Sequence, residues 1–159
     1  MTSVENGQVW RGPIAPPSPA ELPDIYALQQ LCRVYALGID SRDLDLVRSV
    51  FAPDAQVAGM QGAAAAGDYL PKIYAGAAAY SATQHNMTNQ YVQLRGDEAT
   101  VWSYAVCYHI EEPGNGREDL IVAVQYRDDC RRFPGGWLIT AREAVPQWTK
   151  GPLPEGARK

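Results

Sequence analysis

The chain contains two histidines, and both fall on predicted strands that a tight turn would bring side by side. His85 lies in a strand-like run after Thr83 and Gln84, and His109 lies near the end of the next strand, beyond the turn at residues 96–97. An unperturbed imidazole titrates near neutral pH, so these side chains are the best suited to move protons. A single histidine in a strand is more often structural, but two that converge on one face favour an acid/base site.

Period-two alternation assigns the neighbouring residues to faces of the sheet. The strand over residues 100–112 has a bulky face and a small-residue face: Trp102, Tyr104, Val106 and Tyr108 on the first, and Ser103, Ala105, Cys107 and His109 on the second. The small face leaves room for a pocket, whereas the bulky face should pack on the helices or a second subunit. Met87, Asn89 and Tyr91 are expected on the face of His85, with Met87 lining pocket or core. Asn89 would orient a substrate oxygen or make a core hydrogen bond.

Helices are expected before this sheet. Helical spacing after Asp24 predicts a first helix, which Gly38 should end. A second helix is expected over residues 44–51, where Pro53 stops it, and a third is expected after Asp68, which would cap it. Everything after Ser81 reads as strands and turns. The order predicts an α+β fold: a cone-shaped, curved antiparallel sheet with about three N-terminal helices covering its concave face. Such a cone has an interior that suits a small apolar molecule.

The domain boundaries follow from proline and glycine. Residues 1–23 are expected to form a proline-rich arm, residues 24–148 the domain, and residues 149–159 a flexible tail. The small-residue stretch over residues 59–67 is expected to be a mobile loop and a candidate lid. The adjacent pair Asp128 and Asp129 is expected in solvent.

Composition limits the class of protein. The chain has 159 residues, 46% hydrophobic and 20% charged, which suits one globular domain. A net charge of −4 argues against nucleic-acid binding, no apolar run is long enough to span a membrane, and the N-terminus lacks signal-peptide features. The cysteines are three in number and scattered, which is typical of a reducing compartment, so a cytoplasmic location is expected.

Several segments together resemble one known family. They are the run at residues 40–45, the segment at residues 51–55 and the closing Gly136, Trp137, Leu138 and Ile139. These are similar to the SnoaL-like branch of the nuclear transport factor 2-like superfamily, over roughly residues 24–148, and most of all to scytalone dehydratase-like proteins. There an aspartate stands in a similar Asp-Ser-basic-Asp segment, one histidine follows Thr-Gln, and a second closes the next strand.

The resemblance implies an acid/base elimination or isomerisation in a cone-shaped cavity, on a small-molecule substrate and without metal or organic cofactor. It assigns catalytic roles to Asp40, His85 and His109, with His85 as base, Asp40 orienting it and His109 donating a proton or polarising the substrate. One position departs from the dehydratases, since Ile39 stands where they have a substrate-polarising tyrosine. Four tyrosines are candidates to replace it: Tyr35, Tyr69, Tyr91 and Tyr108.

Alternatives remain open from the residues alone. Asp40 has the form of a helix N-cap with Asp43 three residues on, and His109 that of an exposed strand end. A facial-triad metal site and a Ser-His-Asp hydrolase both fit poorly. The leading hypothesis is a lyase or isomerase acting on a small, partly apolar cyclic molecule, and its rival is a noncatalytic binding or assembly domain. A homodimer through Trp102, Tyr104 and Tyr108 is expected because so much aromatic surface is rarely left in water.

Overall fold

The structure is a computed structural model and describes residues 16–153. It contains three helices and six strands: α1 (Leu22–Asp40), α2 (Leu44–Arg48), β1 (Phe51–Gly59), β2 (Gly62–Ala65), α3 (Ala66–Ala78), β3 (Ala82–Arg95), β4 (Glu98–Ile110), β5 (Leu120–Phe133) and β6 (Gly136–Lys150). The expected α+β class, with its helices ahead of a meander, is confirmed. Most of the predicted N-terminal arm lies outside the described residues, and α1 begins at Leu22, inside it, with Pro23 in its first turn.

The strands form one curved, unclosed sheet in the order β2-β1-β6-β5-β4-β3. Neighbouring strands are antiparallel except β1 and β6, which are parallel. The inward side chains of β4, β5 and β6 and the apolar face of α1 make one core, which includes Leu28, Ile39, Val101 and Ile139 at 1% exposure or less. Along most of β4, β5 and β6, successive side chains therefore point in turn toward the core and toward the outer face of the sheet.

A β-bulge in β3 breaks the expected alternation. Met87 pairs with Ala105 but Gln90 pairs with Ser103, so β3 carries one more residue here than β4. Beyond the bulge it is Gln90 that turns inward, where its side-chain amide donates to the Gln29 carbonyl of α1 and to Ser103 Oγ. The prediction that Asn89 shares the face of His85 is therefore wrong, and Asn89 is exposed.

Several boundaries also differ from expectation. Residues 59–67 are not a loop, because they form the β1–β2 hairpin and the first turn of α3. Pro53 lies inside β1, where its missing N–H is tolerated, and does not stop a long second helix. β6 continues through Lys150, so the folded domain extends past residue 148.

The turn between α1 and α2 determines where Asp40 points. Gly38 does not end α1. It allows α2 to approach, because a Cβ at this position would lie 2.8 Å from Cγ2 of Val47. Arg42 adopts a left-handed φ of 62°, and its guanidinium donates to the Ile39 carbonyl and to Thr83 Oγ1. This one side chain closes the end of α1 and fastens it to the start of β3.

Within residues 16–153, no helix is both long and apolar enough to cross a lipid bilayer.

Candidate active site

Asp40 and His85 form a close, well-aligned pair at the junction of α1 and β3. Oδ1 of Asp40 lies 2.7 Å from Nδ1 of His85, and Oδ2 accepts the backbone N–H of His85 at 2.7 Å. The alternative of Asp40 as an N-cap is wrong. Asp40 is the last residue of α1, and Asp43 is the cap of α2, accepting from the Leu46 N–H. The bidentate contact fixes the ring and makes Nδ1 the nitrogen that stays protonated.

The pair holds a proton tightly on His85. Burial by itself lowers the pKa of His85, but the hydrogen bond that the ring donates to Asp40, with a contribution from Cys107, outweighs it and raises the pKa to about 9. For Asp40, burial raises the carboxyl pKa, but the two hydrogen bonds from His85 outweigh it, so that pKa is lowered. At neutral pH these contacts favour an imidazolium paired with a carboxylate.

His109 lies beside His85, but its surroundings favour the neutral imidazole. The two rings are 5.8 Å apart, centre to centre, and Tyr80 lies 5.0 Å away on another side of His109. Burial, followed by the charge of His85, lowers the pKa of His109. Its Nδ1 is 3.3 Å from the Leu120 carbonyl, and since a carbonyl only accepts, Nδ1 is the donor. Neutral His109 therefore has an unprotonated Nε2.

Both imidazoles line two adjoining cavities. The outer cavity has a volume of about 580 Å³ and lies between α3, the β4–β5 turn and the end of β6. The inner cavity, of about 140 Å³, extends under α1 toward the middle of the sheet. The two share five lining residues: Met60, Ile73, His85, His109 and Val122. The histidines therefore lie where a ligand that occupies both cavities would pass.

The lining of the inner cavity also contains a buried arginine that the sequence patterns did not identify. Arg142 is 3% exposed and pairs with Asp128 through two hydrogen bonds, from Nε at 2.7 Å and from Nη2 at 2.8 Å. Asp128 is itself 1% exposed, so the expectation that it lies in solvent is wrong. The guanidinium carbon lies 4.4 Å from the ring centre of Tyr35 and 4.5 Å from that of Tyr126.

One nitrogen of this guanidinium is left over. Because Nε and Nη2 both bind Asp128, Nη1 points directly away from that carboxylate. Nη1 is buried and has no hydrogen-bond partner among residues 16–153, and Arg142 lines the inner cavity. A buried unpaired N–H is costly, so this donor marks a place for an acceptor oxygen.

The other predicted site residues divide between cavity and outside. Tyr35 and Tyr69 are buried and line the inner cavity, and the Tyr35 ring meets that of His85 edge-on at 6.5 Å. Met87 lines a separate open cleft beside Asp40. Tyr91 and Tyr108 pair with Trp102 and Gln84 on the outer face of the sheet, so they do not line either cavity.

Comparison with known proteins gives both sequence and structural relatives. The model of the SnoaL-like domain matches residues 20–143. The uncharacterized protein Rv2910c of Mycobacterium tuberculosis is 32% identical over 132 residues, which covers 79% of this chain and 86% of that protein.

Two solved structures share the fold. A proposed scytalone dehydratase from Novosphingobium aromaticivorans is 22% identical with a TM-score of 0.76, covering 86% of this chain and 93% of that one. A hexachlorocyclohexane dehydrochlorinase, LinA type 2, is 18% identical with a TM-score of 0.72, covering 84% and 91%. Because the family model spans most of the domain and a relative is 32% identical, this chain belongs to the SnoaL-like domain family.

Proposed function

We propose that the protein is a cofactor-independent lyase or isomerase that moves a proton on a small, partly apolar cyclic molecule. The observation that carries this proposal is the junction of the two cavities, where His85 and His109 face the same space with opposite tendencies to hold a proton. Environments that push the pKa values of two neighbouring groups apart are typical of an acid/base pair.

The contacts also suggest which histidine does what. At neutral pH, His109 has an unprotonated Nε2 and serves as the base that takes a proton from carbon, whereas His85 carries a proton on Nε2 and gives it to the leaving group. This exchanges the roles that the sequence resemblance implies. In an elimination, a C–H bond and a C–O or C–halogen bond break and a C=C bond forms. After the product leaves, His109 gives up the proton that it took, and His85 regains the proton that it donated.

Arg142 completes the site by polarising the substrate. An acceptor oxygen on the substrate, such as a ketone placed in the inner cavity, would receive a hydrogen bond from Nη1. A carbonyl polarised in this way makes the neighbouring C–H more acidic, because the guanidinium stabilises the enolate charge that develops. Arg142 would thus polarise the substrate in place of the dehydratase tyrosine, whose position Ile39 occupies in this chain.

The structural relatives support elimination as the reaction class. One is described as a proposed scytalone dehydratase and another as a dehydrochlorinase, and both names denote removal of a small molecule from adjacent carbons. The proposal is tested by a screen of small cyclic hydroxyketones and halides for elimination. Binding of such compounds without turnover would instead favour a noncatalytic binding domain.

We further propose that the protein forms a homodimer through the outer face of the sheet. Of the aromatic residues expected there, Tyr104 is 40% exposed, whereas Trp102 is only 8% exposed and is already covered within the chain. Trp148 adds a second large aromatic side chain to this face, at 54% exposure. Sedimentation should give a dimer at micromolar concentration, and Tyr104→Lys should shift it toward monomer. Tyr26→Lys, on the exposed side of α1, is the control that should stay dimeric. A monomeric wild-type chain would contradict the proposal.

The three cysteines are unpaired and buried, which suits a reducing compartment such as the cytoplasm.

A further inference from the structure

One of the side chains beside the Asp40–His85 pair is a thiol, that of Cys107. Cys107 lies directly opposite His85 in the β3–β4 ladder, and both side chains line the inner cavity. On its other side, Sγ lies 3.8 Å from the Tyr126 hydroxyl. Aspartate, imidazole and thiol thus follow one another in the order orienting group, base and nucleophile, an arrangement that activates cysteine in many enzymes.

Cys107 differs from the other cysteines in what it faces. All three are buried, at 1% exposure for Cys32, 4% for Cys107 and 3% for Cys130. Cys107 lines the inner cavity, whereas Cys32 and Cys130 line neither cavity. A molecule that enters through the outer cavity therefore meets this thiol and neither of the others.

A second, independent feature of the inner cavity indicates what the molecule would carry. Arg142 is more than nine-tenths buried, and its Nη1 lacks a hydrogen-bond partner among the described residues while its side chain lines the same cavity as Cys107. A ligand with a carbonyl oxygen satisfies this donor. Arg142 and Cys107 both contact Tyr126, the guanidinium over its ring and the thiol at its hydroxyl, so a small ligand with its oxygen on Nη1 would have its conjugated carbons near the thiol.

We propose that Cys107 is a nucleophilic site that adds reversibly to α,β-unsaturated carbonyl compounds bound in the inner cavity. The choice of electrophile rests on the proposed function, because elimination beside a carbonyl yields a C=C bond conjugated to it. Such a product is held next to the thiol when it forms. The adduct would retain product in the site and slow turnover when product accumulates.

The addition balances without any other reactant. The thiol gives its proton to Nε2 of neutral His85, and sulfur forms a bond to the β-carbon. The π electrons of the C=C bond move through an enolate, whose oxygen Arg142 stabilises, to the α-carbon. The proton on His85 then adds to that carbon. Neutral His85 becomes more abundant as the pH rises toward about 9, so addition should become faster over that range.

The test uses the full chain and cyclohex-2-enone, with adducts counted by intact mass and located by peptide mapping. Wild type should take up one equivalent, on the peptide that contains Cys107. Cys107→Ala and Cys107→Ser should take up none, whereas Cys32→Ala and Cys130→Ala should still take up one. His85→Asn should slow addition by about 10²-fold, because the thiol loses its base.

Modification of Cys32 or Cys130, absence of any adduct on wild type, or equal rates in wild type and His85→Asn would overturn the proposal. Peptide mapping of the wild-type adduct needs no substitution, so this result remains informative even if a variant in the cavity folds poorly. The measurement is also independent of turnover. An adduct on Cys107 without elimination of any screened substrate contradicts the proposed function alone, and elimination without an adduct contradicts this inference alone.

Discussion

Replacing His85 by asparagine is expected to lower turnover of an elimination substrate by about 10²-fold or more, with little change in its binding. Asparagine keeps some of the size and hydrogen bonding of imidazole but neither gives nor takes a proton near neutral pH. The loss is expected in either assignment of acid and base, because His85 holds the proton that Asp40 stabilises. Steady-state kinetics with the best substrate of the screen provide the measurement.

The matched control is the next residue along β3. Gln84 is exposed and faces the other side of the sheet, so Gln84→Asn should leave both turnover and binding unchanged. Circular dichroism should show that both variants keep the fold. Equal turnover by wild type and His85→Asn would remove His85 from the mechanism and leave His109 as the candidate.

The largest loss of stability is expected at the base of the site. Asp128→Asn removes the charge that neutralises Arg142, and a buried unpaired guanidinium typically costs about 3–5 kcal/mol in the free energy of unfolding. Both side chains are almost fully buried, so water does not compensate. Urea denaturation of wild type and variant at pH 7 measures the difference.

An exposed ion pair of this chain is the control that shows how much of the expected cost comes from burial and how much from loss of charge alone. Asp97 pairs with Arg132 at 3.0 Å, but its side chain is 80% exposed. Asp97→Asn should therefore cost less than about 1 kcal/mol. Asp128→Leu combined with Arg142→Met, which removes both charges, should recover much of the stability lost in Asp128→Asn. A cost for Asp128→Asn as small as that for Asp97→Asn would mean that the buried pair is not formed as described.

The sequence was sufficient for the class of fold because hydrophobic periodicity dominates it. The helical spacing of apolar residues up to Ile39 reflects the buried face of α1, so the pattern predicted that helix. The alternation in β4 reflects its buried face, so it predicted the strand and the inward direction of His109. Placement of Asp40 beside His85 required more than periodicity. From the local pattern, Asp40 resembled a helix cap, and only the resemblance to a family paired it with His85.

The misassigned residues share a physical cause. Single-residue bulges in β3 and β6 invert the alternation, and a bulge has no strong signature in one sequence. In β6, Asp129 pairs with Ala141 but Cys130 pairs with Ile139, so the extra residue Thr140 turns Arg142 toward the core. Strict alternation from Ile139 would have placed Arg142 outside. Without Arg142 in the core, there was no reason to bury Asp128.

The two imidazoles are expected to hold protons differently, and nitrogen-15 NMR of the histidine rings tests this without a substrate. At pH 7, His85 should be protonated on both nitrogens and should lose a proton only as the pH approaches about 9. His109 should be neutral, protonated on Nδ1, and should titrate below its ordinary pKa. In Asp40→Asn, the pKa of His85 should fall, since burial then acts without the carboxylate. A neutral His85 at pH 7, or a His109 that holds its proton to higher pH than His85, would contradict the proposed roles of the two imidazoles.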